Sequence, residues 1–332
     1  MEMRELFEPV AIGRAGRAVL APNHLVRSAT YEGKADSSGA PTEAITNLYC
    51  ALADGGVGTV ITSYTRIAPY DQPASSQMVM YDDALIPAFR AMVDEVHAHG
   101  ACVVAQLAHG SSNRQANPDK ARILGLSAME HPTSGLRSEA LTDDDLRAVP
   151  ELFAAAARRA QEAGFDGVQL HCAHGYLLAQ CISPLFNHRT DAYGGTWENR
   201  VRLVREVYAA VRAAVGEDYP VGIKMNSTDE APGGLTRDDF LSMASVLAAD
   251  GIDAIEVSGE RWSGHGADER AYYAEAAEEL AQRIDIPVIL TGGIRDLADV
   301  EPLVKAGHVN LFGFARPLMK DTAYVEHLRA EL

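Results

Sequence analysis

The stretch LAADGIDAIEVS, residues 247–258, contains the pattern that decides the fold. A segment of helical character ends at Asp250-Gly251, and a short run with β-branched residues follows. Glycine suits the left-handed conformation that often closes a helix, and a run of Ile and Val suits a strand that is buried on both faces. The stretch therefore predicts a helix that leads directly into a buried parallel strand.

The same pattern recurs in ALADGGVGTVITS (51–63), VHAHGACVVAQL (96–107), AQEAGFDGVQLH (160–171) and LVKAGHVNLFGF (303–314). With HLVRSA, PVGIKM and IPVILTG, strands are predicted near 24–29, 58–63, 101–107, 166–171, 220–225, 252–258, 286–291 and 309–314. Helices are predicted near 42–54, 84–98, 143–163, 196–215, 236–250, 268–283, 296–306 and 321–331. Because proline disrupts a helix interior, Pro150 should kink or divide the third helix.

Strands that alternate with helices in this number indicate an α/β fold, the (β/α)₈ TIM barrel. A doubly wound open sheet is the competing arrangement, but no GxGxxG motif follows a predicted strand. We see no linker or change in composition, so we predict a single domain over residues 1–332. The longest irregular stretches, 108–142 and 172–195, follow the third and fourth strands. They should lie at the mouth formed by the strands' C-terminal ends, where barrel enzymes have their active sites.

Composition and charge disfavour several classes of protein. The formal net charge is −17 and there is no basic stripe, which disfavours nucleic acid and anionic membranes as partners. No apolar run approaches the ~20 residues of a membrane span, and the start MEMRELFEP lacks the layout of a signal peptide. The 4 cysteines are scattered without a CxxC pair, which argues against a disulfide framework and favours the reducing cytoplasm.

Polar residues and glycines gather at the predicted strand ends. In many barrels the loops after strands seven and eight bind phosphate through backbone N–H groups, and TGGIR (291–295) and FARP (314–317) offer such groups. The arrangement predicts a phosphorylated cofactor whose reactive end points toward the third and fourth strands. The strand-end residues are Gln106, His109, His171, His174, Tyr176, Lys224, Asn226, Gly292, Gly293, Ala315 and Arg316.

Two other kinds of site compete for these residues. His171, His174 and His109 could bind zinc, but strands one, six and eight end without further ligands, so no metal site is predicted. Lys224 could form the Schiff base of an aldolase, although that chemistry leaves Gln106 and the histidines without a role. Each residue alone could also be structural, as an amide that bridges strands or a lysine that pairs with an acid.

The segment DGVQLHCAHGYLLAQCISPLFNHRTDAYGGTWENR, residues 166–200, closely resembles the central signature of the old yellow enzyme family. These are FMN-dependent NAD(P)H:flavin oxidoreductases. LFEPVAIG (6–13), NHLVRSAT (23–30) and AQLAHG (105–110) resemble the same family, so the likeness covers nearly the whole chain. It implies a TIM barrel that binds FMN and uses NADH or NADPH as its reductant.

The resemblance also implies roles for individual residues. His171 and His174 match the pair that hydrogen-bonds the substrate's carbonyl oxygen, and Tyr176 matches the proton donor. Gln106 matches the residue at the flavin's pyrimidine edge, and Lys224 the residue beside N1 and O2. Contacts to the flavin ring edge are implied for Ala29, Thr30 and Tyr64. Contacts to the phosphate are implied for Gly292, Gly293, Ala315 and Arg316.

The implied reaction is the reduction of a small activated alkene such as an enone, a nitroalkene or a maleimide. NAD(P)H would reduce the flavin at N5, the flavin would return hydride to the β-carbon, and Tyr176 would protonate the α-carbon. A flavin-dependent dehydrogenase or oxidase, and a barrel that binds flavin without turnover, remain alternatives. The oligomeric state is left open, a homo-oligomer included.

The chain also departs from many relatives at three places. Tyr31 stands where many carry Cys or Thr beside the flavin, and HGSSN (109–113) lacks an arginine that many have near that point. No cysteine cluster for an iron–sulfur centre follows the barrel in this sequence, so we expect direct reduction by the nicotinamide.

Overall fold

The structure, a computed structural model, describes residues 2–116, 122–260, 264–266 and 268–332. Its parallel strands form a closed barrel, in which each strand pairs with its neighbours in the chain and β8 pairs with β1. Their bounds are β1 Leu25–Arg27, β2 Thr59–Ile61, β3 Cys102–Ala108, β4 Gly167–Cys172, β5 Val221–Asn226, β6 Ala254–Ser258, β7 Val288–Thr291 and β8 Leu311–Phe314. The predicted TIM barrel and the position of every barrel strand are confirmed.

Two layers of side chains fill the barrel. Val26, Ile61, Ile289 and Leu311 form a small apolar cluster of their own. Paired residues in a parallel sheet point to the same face, and the register pairs Gln106 with Gln169, and Lys224 with both His171 and Glu256. The half of the barrel toward the strands' C-terminal ends is therefore polar, although it is buried.

Helices surround the barrel, and their ends follow the local sequence. Capping boxes begin two of them, at Thr142 and at Asp296. Gly307 closes the helix that Asp296 begins, and Gly251 closes another, with φ of +82° and +118°. The glycine pattern of the sequence is thus confirmed. The helices are α1 Glu43–Asp54, α2 Ile86–Ala98, α3 Asp143–Glu162, α4 Leu177–Ile182, α5 Trp197–Arg200, α6 Arg202–Val215, α7 Arg237–Asp250, α8 Ala274–Ala281, α9 Leu297–Ala306, α10 Arg316–Lys320 and α11 Tyr324–Ala330.

Three helix predictions differ from the structure. Pro150 does not divide α3, whose buried face, with Leu146 and Phe153, keeps one continuous helix against the core. The helix predicted at 196–215 is interrupted at Val201. The helix predicted at 268–283 begins at Ala274, and residues 271–273 form a turn beside Gly292 and Gly293. Among the described residues, no helix combines the length and apolar character needed to cross a membrane.

An antiparallel hairpin, Val10–Ile12 with Val19–Ala21, lies at the barrel's N-terminal end. Ile12 packs against the inner apolar cluster, and Arg17 pairs with Asp253, the residue before β6. A cavity of about 50 Å³ lined by Ile12, Thr59 and Gly167 lies beneath the hairpin. Because that end is covered, the polar layer can meet a ligand only at the opposite mouth.

Candidate active site

The chain turns sharply where β4 ends. His174 and Gly175 both have left-handed backbone, with φ of +59° and +70°, which is easy for glycine and costs about 1–2 kcal/mol for histidine. The turn places Tyr176 before α4 and returns its ring toward the strand. The ring centroid of His171 is 5.2 Å from that of His174 and 4.7 Å from that of Tyr176. The structure therefore joins the three predicted residues in one cluster.

Polar groups from neighbouring loops hold His174 in this conformation. Its backbone N–H donates to Asn226 Oδ1 at 3.0 Å, and its carbonyl oxygen accepts from Asn113 Nδ2 at 2.6 Å. Its Nε2 lies 2.9 Å from Ser258 Oγ. The strained backbone is thus fixed from three sides, as functional residues in unusual conformations commonly are. Sequence analysis assigned no role to the side chain of Asn113.

A half-buried carboxylate supports the same turn. Glu260, which follows β6, accepts from Asn226 Nδ2 at 2.7 Å and from the backbone N–H of Gly175. Burial raises the pKa of Glu260 to about 7, against its ordinary value of 4.5. The carboxylate therefore titrates near neutral pH while it supports the turn. Sequence reasoning missed Glu260, because nothing local marks it as buried.

Both histidines are neutral at physiological pH. Burial, and then the charge of Lys224, lowers the pKa of His171 to about 3. Burial, Lys224 and His171 lower the pKa of His174 well below its ordinary value. A neutral imidazole still carries one N–H that can donate a hydrogen bond. The pair can therefore bind an oxygen atom without bringing a positive charge.

His171 has no hydrogen-bond partner among the described residues, although its side chain is buried. A buried polar group left unpaired costs about 1–3 kcal/mol, and such groups often mark a ligand site. A substrate atom that bonds to this ring would remove that cost. This is the strongest sign in the cluster that its partner comes from outside the chain.

Tyr176 lies in a row of three tyrosines. Its ring centroid is 5.3 Å from that of Tyr64, which in turn stacks on Tyr31 at 5.5 Å. Its hydroxyl group lies close enough to that of Tyr64 for each to shift the pKa of the other. Burial, followed by Tyr64, raises the pKa of Tyr176 well above its ordinary value of 10. Tyr176 is therefore protonated throughout the physiological range, as a proton donor must be.

An arginine lies near the three tyrosines, although residues 109–113 contain none. Arg114, directly after HGSSN, is exposed, and its charge opposes the rise in the pKa of both Tyr64 and Tyr176. The guanidinium thus lies near enough to the mouth to act on both hydroxyl groups. The absence of arginine from residues 109–113 does not leave the mouth without one.

Gln106 and Lys224 lie in the polar layer beneath the cluster. Gln106 Nε2 donates to Gln169 Oε1 at 2.7 Å, and Lys224 Nζ lies 3.0 Å from Glu256 Oε1. The sequence analysis did not single out Gln169 or Glu256. The period of two in a strand could have found both, since each lies two residues before a residue at the mouth, His171 and Ser258.

The ring-edge residues follow β1. Ala29 packs against the inner apolar cluster, and both Ala29 and Thr30 are half-buried. Thr30 Oγ1 donates to the carbonyl oxygen of Ser28 at 3.0 Å, so its side chain serves the local turn. Any contact with a ligand from this segment would therefore come mainly from the backbone.

A corner of backbone donors lies between the ends of β7 and β8. Within the described residues, no acceptor is found for the N–H groups of Gly292, Gly293, Ala315 and Arg316. A Cβ on Gly293, whose φ is +75°, would lie 2.6 Å from the Tyr272 ring, so only glycine fits there. Arg316 is exposed, and its guanidinium donates to Tyr272 Oη at 3.1 Å. The four predicted residues thus share one corner, which Tyr272 borders.

His109 does not join the cluster. Its Nδ1 accepts from the backbone N–H of Ser111 at 3.2 Å and lies 3.8 Å from Asp71. The described residues contain one group of three potential metal ligands within reach of a shared ion, and it lies outside the barrel at Cys50, Glu95 and His99. We still predict that the chemistry needs no metal ion.

The arrangement fits FMN at both ends of that molecule. Gln106 and Lys224 offer hydrogen bonds and a positive charge for the pyrimidine ring, and the glycine corner offers backbone N–H groups for the phosphate. The unpaired His171 fits a ligand above the ring. Each feature lies at the mouth, where ligands bind in barrels.

The model of the NADH:flavin oxidoreductase / NADH oxidase family matches residues 5–332. The chain belongs to this family. Its fold is that of an old yellow enzyme: the chain matches the crystal structure of Old Yellow Enzyme from Pichia sp. AKU4542 with a TM-score of 0.82 and 25% identity, covering 99% of this chain and 87% of that one. FMN is accordingly the cofactor.

Two curated relatives are similar over most of the chain. An NADH oxidase of Thermoanaerobacter brockii is 30% identical over 93% of this chain and 48% of that protein. An N,N-dimethylglycine/sarcosine dehydrogenase of Chromohalobacter salexigens is 30% identical over 100% of this chain and 49% of that protein. The chain thus spans about half the length of these relatives.

Proposed function

We propose that the chain, as one FMN-binding barrel domain over residues 1–332, is an NAD(P)H oxidoreductase that reduces small activated alkenes. Enones, nitroalkenes and maleimides are the substrate classes. The observation that carries the proposal is the cluster at the end of β4, in which two neutral histidines and a protonated tyrosine lie together. The unpaired, buried His171 supports a substrate that accepts or donates a hydrogen bond there.

The substrate oxygen is held by the histidines. When bound, FMN would supply the hydride chemistry between the nicotinamide and the alkene. Donors from His171 and His174 stabilise the negative charge that develops on the substrate's oxygen, and burial makes such donors more effective. Because both rings stay neutral near neutral pH, each can donate a hydrogen bond there without titrating.

Tyr176 supplies the proton to the α-carbon. Its raised pKa keeps the proton on the hydroxyl until a strongly basic carbon approaches. The Tyr64 hydroxyl is a second phenol close to that of Tyr176. Tyr64 can therefore return a proton after Tyr176 has given one away.

The remaining residues bind the cofactor. Gln106 and Lys224 hold the pyrimidine side, and Ala29, Thr30 and Tyr64 border the ring edge. The phosphate is held by the corner of Gly292, Gly293, Ala315 and Arg316. The cysteines are all free and buried, in keeping with the cytoplasmic location that we propose.

Oxidation of an amine is the second candidate, favoured by the similarity to the N,N-dimethylglycine/sarcosine dehydrogenase. In that reaction the substrate reduces the flavin, and Tyr176 has no carbon to protonate. The aldolase alternative has less support, because Lys224 is buried in an ion pair with Glu256. A Schiff-base lysine must be a free, neutral amine when it attacks a carbonyl group.

Anaerobic rapid mixing separates these functions. We expect NADH or NADPH to bleach the flavin of the purified protein, and an enone, nitroalkene or maleimide to restore its absorbance with formation of the saturated product. Bleaching by dimethylglycine or sarcosine without nicotinamide would favour the dehydrogenase. Reduced protein that no alkene reoxidises would refute the proposal.

A further inference from the structure

A continuous chain of hydrogen bonds runs across the floor of the mouth. It begins at Gln106 on β3, passes through Gln169 on β4 and ends at Glu256 on β6. Ser28, Lys224 and Thr291 join it from three further sides. All of these side chains are buried, and Glu256 is 0% exposed. Through Gln169, the Glu256 carboxylate can orient an amide that it does not contact itself.

Glu256 determines which way the two amides face. An ionised carboxylate can only accept hydrogen bonds, so Gln169 must turn its Nε2 toward Glu256 Oε2, at 2.8 Å. Gln169 Oε1 then faces Gln106 and accepts from its Nε2 at 2.7 Å. The Oε1 of Gln106 and its second N–H are left for a ligand. The pyrimidine ring of a flavin carries an N–H group between two carbonyl groups. Its binding therefore depends on which way the oxygen and the nitrogen of the Gln106 amide point.

Glu256 also shares the positive charge of Lys224. Its Oε1 accepts from Ser28 Oγ at 2.8 Å and lies 3.0 Å from Lys224 Nζ. Both partners of this ion pair are buried, so water screens them weakly. A ligand above Lys224 therefore meets an ion pair and not an isolated cation. Reduced FMN carries more negative charge at N1 and O2 than oxidised FMN, so it gains less here than beside a lone lysine.

We propose that Glu256 is a positioning residue that fixes the amide of Gln106 for FMN and lowers the reduction potential of the bound flavin. The inference rests on the proposed placement of FMN over Gln106 and Lys224. A lower potential favours passing hydride onward to a substrate.

Glu256→Gln tests both effects, because it removes the charge and keeps the shape. The single oxygen of the new amide cannot serve Gln169 and Lys224 together, so we expect oxidised FMN to bind about tenfold more weakly. The affinity for reduced FMN should rise about ten- to a hundredfold relative to the affinity for oxidised FMN. For a two-electron couple this is a rise of about 30–60 mV in midpoint potential. Dithionite titration against reference dyes and flavin-binding titrations measure these quantities without nicotinamide or alkene.

Two further variants make the test specific. Asp253→Asn removes a buried charge that pairs with Arg212 at 2.7 Å, about 10 Å before Glu256 on the same chain segment, and should leave the potential unchanged. Gln169→Leu breaks the amide chain and keeps the ion pair, so oxidised FMN should bind more weakly with little change in potential. It also tests the orientation if Glu256→Gln does not fold.

The results separate this inference from the proposed function. An unchanged potential in Glu256→Gln, or full FMN affinity in Gln169→Leu, would overturn it while the protein still reduced alkenes. A protein that binds FMN but fails to reduce alkenes would refute the function and leave these measurements valid. A protein that does not bind FMN would refute both.

Discussion

Replacing Tyr176 by phenylalanine removes one hydroxyl and should separate the two halves of the catalytic cycle. Reduction of the flavin by NAD(P)H needs no proton from this residue and should proceed at nearly the original rate. Reoxidation by an enone needs a proton at the α-carbon and should slow strongly. The ring is only 7% exposed and keeps its contacts with His171 and Tyr64, so the pocket should keep its shape.

The structure indicates how much the reoxidation rate should fall. Loss of a general acid typically costs 10²–10⁴-fold, which is about 3–5 kcal/mol of activation free energy. The variant keeps the Tyr64 hydroxyl, which is also protonated because burial raises its pKa. We therefore expect a loss near 10²-fold for Tyr176→Phe and a further loss when Tyr64→Phe is added. Stability should fall by only about 1 kcal/mol, the usual contribution of one hydrogen bond.

Rapid-mixing absorbance of each half-reaction measures both rates. Nitroalkenes are an internal control, because their nitronate product is a stable anion that can leave before it is protonated. Their reoxidation rate should fall much less than that of enones. Equal slowing of the reductive and oxidative halves would refute the proton-donor role and show that Tyr176 positions the flavin or the shared pocket.

Three further predictions concern other parts of the site. Arg316→Ala should weaken FMN binding by about ten- to a hundredfold in a fluorescence titration, since a charge-assisted hydrogen bond contributes about 1.5–3 kcal/mol. The surface control Arg283→Ala should leave the affinity unchanged. Equal affinities for the two variants would show that Arg316 does not bind the phosphate. Prolonged chelation should leave alkene reduction intact, and activity restored only by added metal would contradict the role of His171 and His174 as donors. Because the pKa of Glu260 is raised to about 7 in the folded protein, the stability that it contributes is full below pH ~4.5 and is lost as the pH rises through 7. Between pH 5 and 8 the free energy of unfolding of the wild type, measured with urea, should therefore fall by up to about 3 kcal/mol relative to that of Glu260→Gln. A difference between the two proteins that stays constant would show that the carboxylate does not titrate in this range.

Much of the site could be predicted because it lies in one segment or at strand ends. His171, His174 and Tyr176 fall within six residues, so any fold that ends a strand at residue 172 brings them together. The glycine corner was predictable from the known geometry of barrels. Tyr272 and Glu260 were not. The sequence placed Tyr272 in a helix, whereas the structure places it before α8 and beside Gly293, and Glu260 contacts Asn226 and Gly175, which are distant from it in the chain.

The sequence by itself determined the barrel. Glycine-closed helices and β-branched strands are local patterns, and their repetition around the chain leaves few ways to bury so much apolar surface. Only the tertiary structure decided how the polar layer is connected. Gln106, Gln169 and Glu256 are distant in the chain, and no local preference selects their pairing. Closure of the sheet into a barrel brings the three side chains to the same level in its interior. Water does not reach them there, so each polar group needs a partner within the protein or a ligand.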